Sequence, residues 1–202
     1  MAMFKKSVSS LLLTLMALLA AGALASTAIQ MFGAFGRYSD SLETARLAAA
    51  DKAIFHGVLA LRNNRGDAQS AILGEDDPKA KLAEAEKAEQ GGYEGISAAL
   101  STVDFARRDE LASTLKQRWN EAAPQFQLFY DEAKLPRAER KMERTNSWYD
   151  AVTKVIDTAN LASTAVSNRA WMNDPYIARM IQVRRFASVS YTHLTLPTNR
   201  EV

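Results

Sequence analysis

Apolar residues in the middle of the chain recur at steps of three and four, the spacing that lines one face of a helix, and no stretch alternates as a strand would. Leu47, Asp51, Ile54, Val58, Leu61, Arg65, Ala68 and Ile72 form one such seam, with two charged intruders. Gly74 closes it, and Asp77-Pro78 supplies an N-cap followed by proline at the first helical position. A second seam runs through Leu82, Ala85, Glu89, Tyr93, Ile96, Leu100 and Val103, with Gly91 and Gly92 each weakening the helix by about 1 kcal/mol relative to alanine. The third comprises Leu111, Leu115, Arg118, Ala122, Phe126 and Phe129, with Pro124 predicting a kink or break. After a turn near Leu135-Pro136, Thr145, Trp148, Val152, Val155, Ala159, Ala162, Val166 and Arg169 make the most regular seam. Asp174-Pro175 opens another helix, expected to reach Phe186. Helices longer than 20 residues, each with one apolar stripe and short connectors, specify an all-α, antiparallel up-down bundle resembling a four-helix bundle.

Ahead of the bundle the pattern changes. Ser7 to Gly36 contains no charged residue, and thirty residues in helical geometry cover roughly 45 Å, enough for a bilayer core and part of both interfaces. Lys5 and Lys6 precede this stretch and only Arg37 follows closely. The positive-inside rule therefore puts residues 1–6 in the cytoplasm as a stub, 7–36 across the inner membrane and 37–187 in the periplasm. The alternative is a signal peptide cleaved after Ala23-Leu24-Ala25, which leaves a secreted helical protein.

A second break in texture comes at the carboxyl end. Val189 to Thr198 resemble the in-frame translation of a transposase-end adapter used in sequencing libraries, so residues 188–202 are set aside as an artefact and the sensor region is taken as incomplete. His193 falls within them.

Composition removes whole classes of chemistry. With no cysteine and two histidines among 202 residues there is no disulfide framework, no thiolate metal site and little material for histidine acid–base work. No phosphate loop, Gly-x-Ser-x-Gly elbow or zinc-binding histidine pair occurs, so no catalytic residue, metal or cofactor is assigned. The net charge of +2 traces to Lys5 and Lys6, while Arg200 and Glu201 cancel. Residues 37–187 are neutral, and the apparent basicity is a topology signal with no nucleic-acid footprint. Glu84, Glu86, Glu89, Asp131 and Glu132, interleaved with lysine and alanine, are expected on solvated faces. His56 falls off its seam and is expected at the surface. Trp119, Trp148 and Trp171 fit core positions, with a pocket lining as the other possibility.

Arg65 is the residue that this pattern does not absorb. A guanidinium on a core seam must be paired, hydrated or bound to an anion. Arg65 and Glu89 lie at similar heights, roughly 16–20 Å from a hairpin turn near Asp76, whereas Asp51 is about 21 Å along the helix and out of reach. An internal Arg65–Glu89 ion pair is the first expectation. The second is a ligand site in which Arg62 or Arg65 grips a small planar anion.

A cytoplasmic stub, one spanning helix and an exported helical domain resemble the front of a bacterial methyl-accepting chemotaxis protein. The stretches Leu59-Ala60-Leu61-Arg62-Asn63-Asn64-Arg65-Gly66-Asp67 and Glu143-Arg144-Thr145-Asn146-Ser147-Trp148-Tyr149-Asp150 are similar to parts of helical sensor domains in alphaproteobacterial receptors of this type. Arg65-Gly66 also resembles the Arg-Gly of nitrate- and nitrite-sensing helical domains, with Asn64 standing where glutamate is usual. The resemblance implies a homodimeric, non-enzymatic sensor that reaches a chemotaxis kinase and adaptor only through a cytoplasmic part beyond this sequence. The same kind of input domain also precedes sensor histidine kinases and diguanylate cyclases.

Overall fold

The computed structural model describes residues 8–174 together with 176, 177, 179, 180 and 183; the adapter-like residues 188–202 and Phe186 lie outside the described residues. The chain divides into two units, Met1–Glu43 and Thr44–Val202. No strand occurs among the described residues, and the elements are α1 (Val8–Gly74), α2 (Lys79–Ser101), α3 (Arg108–Ala122), α4 (Gln127–Ala133) and α5 (Asn146–Asn173). A 3-10 turn (Ala123–Phe126) joins α3 to α4, and two more (Arg137–Glu139 and Met142–Thr145) lie between α4 and α5.

In the first unit the large apolar side chains of α1, from Val8 to Phe35, are all exposed. Two of its hydroxyls bond back within the helix: Thr14 donates to the Ser10 carbonyl at 2.8 Å and Thr27 to Ala23 at 2.9 Å. Threonines bonded back to the i−4 carbonyl carry no unmet donor into an apolar medium. This helix is long and apolar enough to cross a membrane.

The second unit packs the four seams around one core. Pairings across it fix the direction of each helix. Asp51 meets Ser163 while Arg65 meets Thr153, so α1 and α5 run antiparallel. Gly57 abuts Ile96 while Leu61 abuts Gly92, which sets α2 antiparallel to α1. Tyr93 stacks on Trp119 and the Tyr130 hydroxyl donates to Glu86, so α3 and α4 together return against α2. Phe126 and Phe129 pack edgewise on Trp148 of α5, with centroids 5.6 and 4.7 Å apart. At the α1–α2 crossing a Cβ on Gly57 would fall 2.6 Å from the Gly92 carbonyl oxygen. Gly57 is thus required by the close approach of two backbones, a Cβ at Gly92 would sit tightly at 3.1 Å from the Gly57 carbonyl oxygen, and Gly91 has open space around it and only the cost in helix propensity.

The structure revises the expected pattern in four places. The third helix is not longer than 20 residues: α3 has 15, and the chain tightens to a 3-10 turn around Pro124. Within it Trp119, not Arg118, takes the core position, because the indole buries more apolar area against Tyr93 than an arginine stem would. The α2 cap is displaced by one residue: Lys79 is the first helical residue, and its N–H donates to Asp77 Oδ1 at 3.4 Å. Glu89 and Glu132 are buried, not solvated. Near the other end Asp174 Oδ1 accepts from the N–H groups of Tyr176 (2.9 Å) and Ile177 (3.2 Å), the cap expected of an Asp-Pro start.

Candidate functional site

Seam geometry puts Arg65 of α1 and Glu89 of α2 at one height. The Gly57–Ile96 contact and the 65/89 pairing share the same antiparallel register. Glu89 is 3% exposed, and one carboxyl oxygen, Oε1, has no hydrogen-bond partner. Burial pushes its pKa up to about 8; the Glu86 carboxylate adds to the rise and the Arg65 charge opposes it. At neutral pH this group is mainly an uncharged acid, since a carboxylate removed from water without a partner is the costlier form.

Arg65 is within electrostatic reach of Glu89, but the expected ion pair is not formed. The half-buried guanidinium turns to α5 instead. Nη1 donates to the Thr153 hydroxyl at 2.7 Å, and Cζ lies 4.3 Å from the centre of the Tyr149 ring. Its Nε is buried without a partner. Burial lowers the Arg65 pKa, with Tyr149, Glu89 and Asp157 pulling the other way. Thr153 also donates to the Tyr149 carbonyl at 2.8 Å, so its hydroxyl is satisfied whether or not Arg65 is present.

Arg62, one helical turn earlier, is half-buried, and its charge contributes to lowering the Arg65 pKa. Asp51 accepts from Ser163 on α5 and takes no part with Arg65, as the length of α1 demands. His56 is exposed, its ring edge-on to Phe55. Trp119 and Trp148 are core residues, and Trp171 is 42% exposed.

Two clefts flank this interior. One of about 340 Å³ lies between α1 and α2, lined among others by Asn64, Asp67, Ser70, Lys81 and Glu84. The other, about 370 Å³, lies between the start of α3 and α5, with Leu111, Leu161, Ala165 and Met172 as apolar walls. Arg107 stands at its rim in a left-handed conformation (φ 68°), its guanidinium held by both oxygens of Glu110 at 2.6 and 2.7 Å. Both ends of that ion pair are occupied, so Arg107 itself offers a ligand little unbalanced charge. Among the described residues no three His, Asp or Glu side chains gather as metal ligands would.

Sequence reasoning finds Arg65 and Glu89 from their seam positions, and misses Thr153 and Tyr149. Those two sit one position off the fourth seam at each end of a turn, where the only available signal is that Thr153 follows the core residue Val152. Taken together, fold and interior define an all-α bundle with buried, partly unsatisfied charge, attached to one helix apolar enough to span a bilayer. Comparison with protein-family profiles, curated proteins and solved structures gives no match to this chain.

Proposed function

We propose that this chain is the signal-sensing input region of a transmembrane chemotaxis transducer. Residues 7–36 anchor it in the bacterial inner membrane, residues 37–187 form a periplasmic sensor that works as a homodimer, and binding of a small ligand or partner protein alters helix packing. A cytoplasmic part passes that change to a kinase and its adaptor. The observation that carries this reading is α1. One helix holds an uncharged stretch with every large apolar side chain exposed and also contributes the first seam of the bundle. Arg62 and Arg65 are the residues that favour a small planar anion as ligand, since guanidinium groups match its geometry. The same input role in front of a histidine kinase or diguanylate cyclase is the nearest alternative.

A second reading rests on Ala23-Leu24-Ala25, a small-residue motif at which a secretory peptidase would release a soluble bundle. The two part in a fractionation experiment. Full-length chain expressed in a Gram-negative host is expected to stay with the membrane after carbonate washing, and alkaline phosphatase fused after Asp174 is expected to be active. A shortened soluble product beginning at Ser26 would overturn the anchor. The sensory role is tested by joining the chain to the cytoplasmic half of a chemotaxis receptor and screening nitrate, small carboxylates and amino acids. Ligand-dependent methylation is expected, and a chimera that folds, dimerises and responds to none of them would overturn it.

A further inference from the structure

The buried Glu89 carboxyl of α2 and the half-buried Arg65 guanidinium of α1 lie within electrostatic reach of each other without bonding, and Arg65 is held by a third helix instead. We propose that Arg65 is a proton-controlled latch, held to α5 by Tyr149 and Thr153 when the Glu89 carboxyl is protonated and swung to α2 as its ion-pair partner when Glu89 is ionised. The proton is the ligand of this device, and the outcome is a choice of which neighbour α1 is fastened to. This inference concerns the bundle alone and holds whether the apolar stretch of α1 is retained or cleaved.

The structure shows one state and leaves both groups with unmet capacity for the other. Glu89 Oε1 and Arg65 Nε are buried without hydrogen-bond partners, one an acceptor and the other a donor. In the observed arrangement Arg65 holds a neutral hydroxyl and an aromatic face. Those attractions suffice while Glu89 is uncharged. A carboxylate in the same low-dielectric interior offers a charge-assisted bond, which is stronger than either. Leaving α5 costs Thr153 little, because its hydroxyl keeps the Tyr149 carbonyl as acceptor. The charged and titratable surroundings favour a single transition. Glu86 on α2 opposes ionisation of Glu89 and is itself engaged by the Tyr130 hydroxyl of α4. From α1 Arg62 repels Arg65, and from α5 Tyr149 and Asp157 attract it. Pairing with Arg65 favours the carboxylate, so the switch falls below the Glu89 pKa of about 8 and lies within the range a bacterium meets outside its cytoplasm.

The test is a double-mutant cycle on the full chain in detergent micelles, with Arg65→Met, Thr153→Val and the pair, unfolded by urea. The Arg65–Thr153 coupling, read as a ratio of unfolding constants, is expected to be roughly fivefold near pH 5.5 and to fall to about one near pH 9. In a Glu89→Gln background it is expected to stay at its acid value throughout. A coupling that is the same at both pH values, or that changes with pH in Glu89→Gln as it does in the parent, would overturn the latch. Should either variant fail to fold, the 15Nε resonance of Arg65 in the parent protein decides the matter. It must move with the same midpoint as the Glu89 carboxyl 13C resonance, and independent midpoints would overturn the proposal.

Discussion

Charge is buried at two levels of the bundle, with opposite consequences. At the end of α1 Arg140 is 8% exposed and donates to four carbonyls: Ile72 at 3.1 Å, Glu75 at 2.6 Å, Asp76 at 2.9 Å and Leu135 at 2.9 Å. Arg137 Nε adds Leu73 at 2.8 Å. Beside them the buried Glu132 accepts from the Lys141 N–H and from Arg144 Nη1, both at 2.9 Å. A helix C-terminus leaves carbonyls without intrahelical donors and carries partial negative charge, so two guanidinium groups there meet both needs at once. Farther down the bundle, Arg65 on the α1 seam and Glu89 on the α2 seam lie at one height but leave Nε and Oε1 unmet. The first region has one arrangement that satisfies everything. The second has two that each satisfy something, which is the condition for a switch and not for a clasp.

If that contrast is right, the clasp is where a substitution costs most. Arg140→Ala strands four carbonyls at a buried turn and is expected to destabilise the bundle by about 4 kcal/mol, read from the urea midpoint at constant slope. Arg140→Lys recovers little of this, because one ammonium cannot reach four acceptors spread over two segments. A loss below about 1 kcal/mol for the alanine variant would place Arg140 among ordinary surface residues and erase the distinction.

The two regions also differ in how legible they are from sequence. Fourfold and threefold spacing locates the large core residues of α1 and α2, because a helix that buries one face writes that face into the chain at its own period, but on α5 it misses Ala151, Ile156 and Ala170, since the buried face there is wider than one stripe. Arg65 and Glu89 stand out as violations of the period, and counting residues from the hairpin puts them at one height. Their failure to bond is not readable. It depends on the direction of a side chain with several rotamers and on an aromatic face from a helix far away in sequence. Arg140 leaves no signal, because it sits in an irregular connector with no periodicity to violate, whereas Glu132 lies one step of three beyond Phe129 and extends the third seam by one position. Arg118 stands in for Trp119 in the sequence pattern because steps of three and four fit both, and only the area buried against Tyr93 decides between them.

The middle region is tested next by pH. The Glu89 pKa stands at about 8 in the folded protein against 4.5 for a free glutamate, so between those values the folded state binds more proton than the unfolded one. Stability then falls as pH rises from about 4.5 and levels off above about 8. Glu89→Gln removes the titration. The variant is expected to be flat over this window and roughly 2–4 kcal/mol more stable than the parent near pH 9. The Arg140 clasp contributes nothing to this dependence, because its acceptors are backbone carbonyls. A parent whose stability is level between pH 5 and 9 would mean that Glu89 is ionised throughout and already paired.

The smallest effects separate the roles of three glycines and ask what keeps Glu89 dry. Gly57 and Gly92 let the α1 and α2 backbones meet near the Arg65–Glu89 level. Gly57→Ala drives a methyl group into the Gly92 carbonyl and the Ile96 side chain, and overpacking of this kind costs about 1–3 kcal/mol. The helices must part to accept it, water gains access to Glu89, and the slope of stability against pH is expected to shrink along with the stability itself. A Cβ added at Gly91 would have no neighbour within 4 Å, so Gly91→Ala touches nothing. It is expected to gain about 0.5–1 kcal/mol from helix propensity and to leave the pH slope unchanged. Glycines with opposite responses, only one of them coupled to pH, would tie the high Glu89 pKa to the close helix crossing. If Gly57→Ala leaves the slope intact, the dryness of Glu89 comes from the α5 side, and Tyr149 becomes the residue to change.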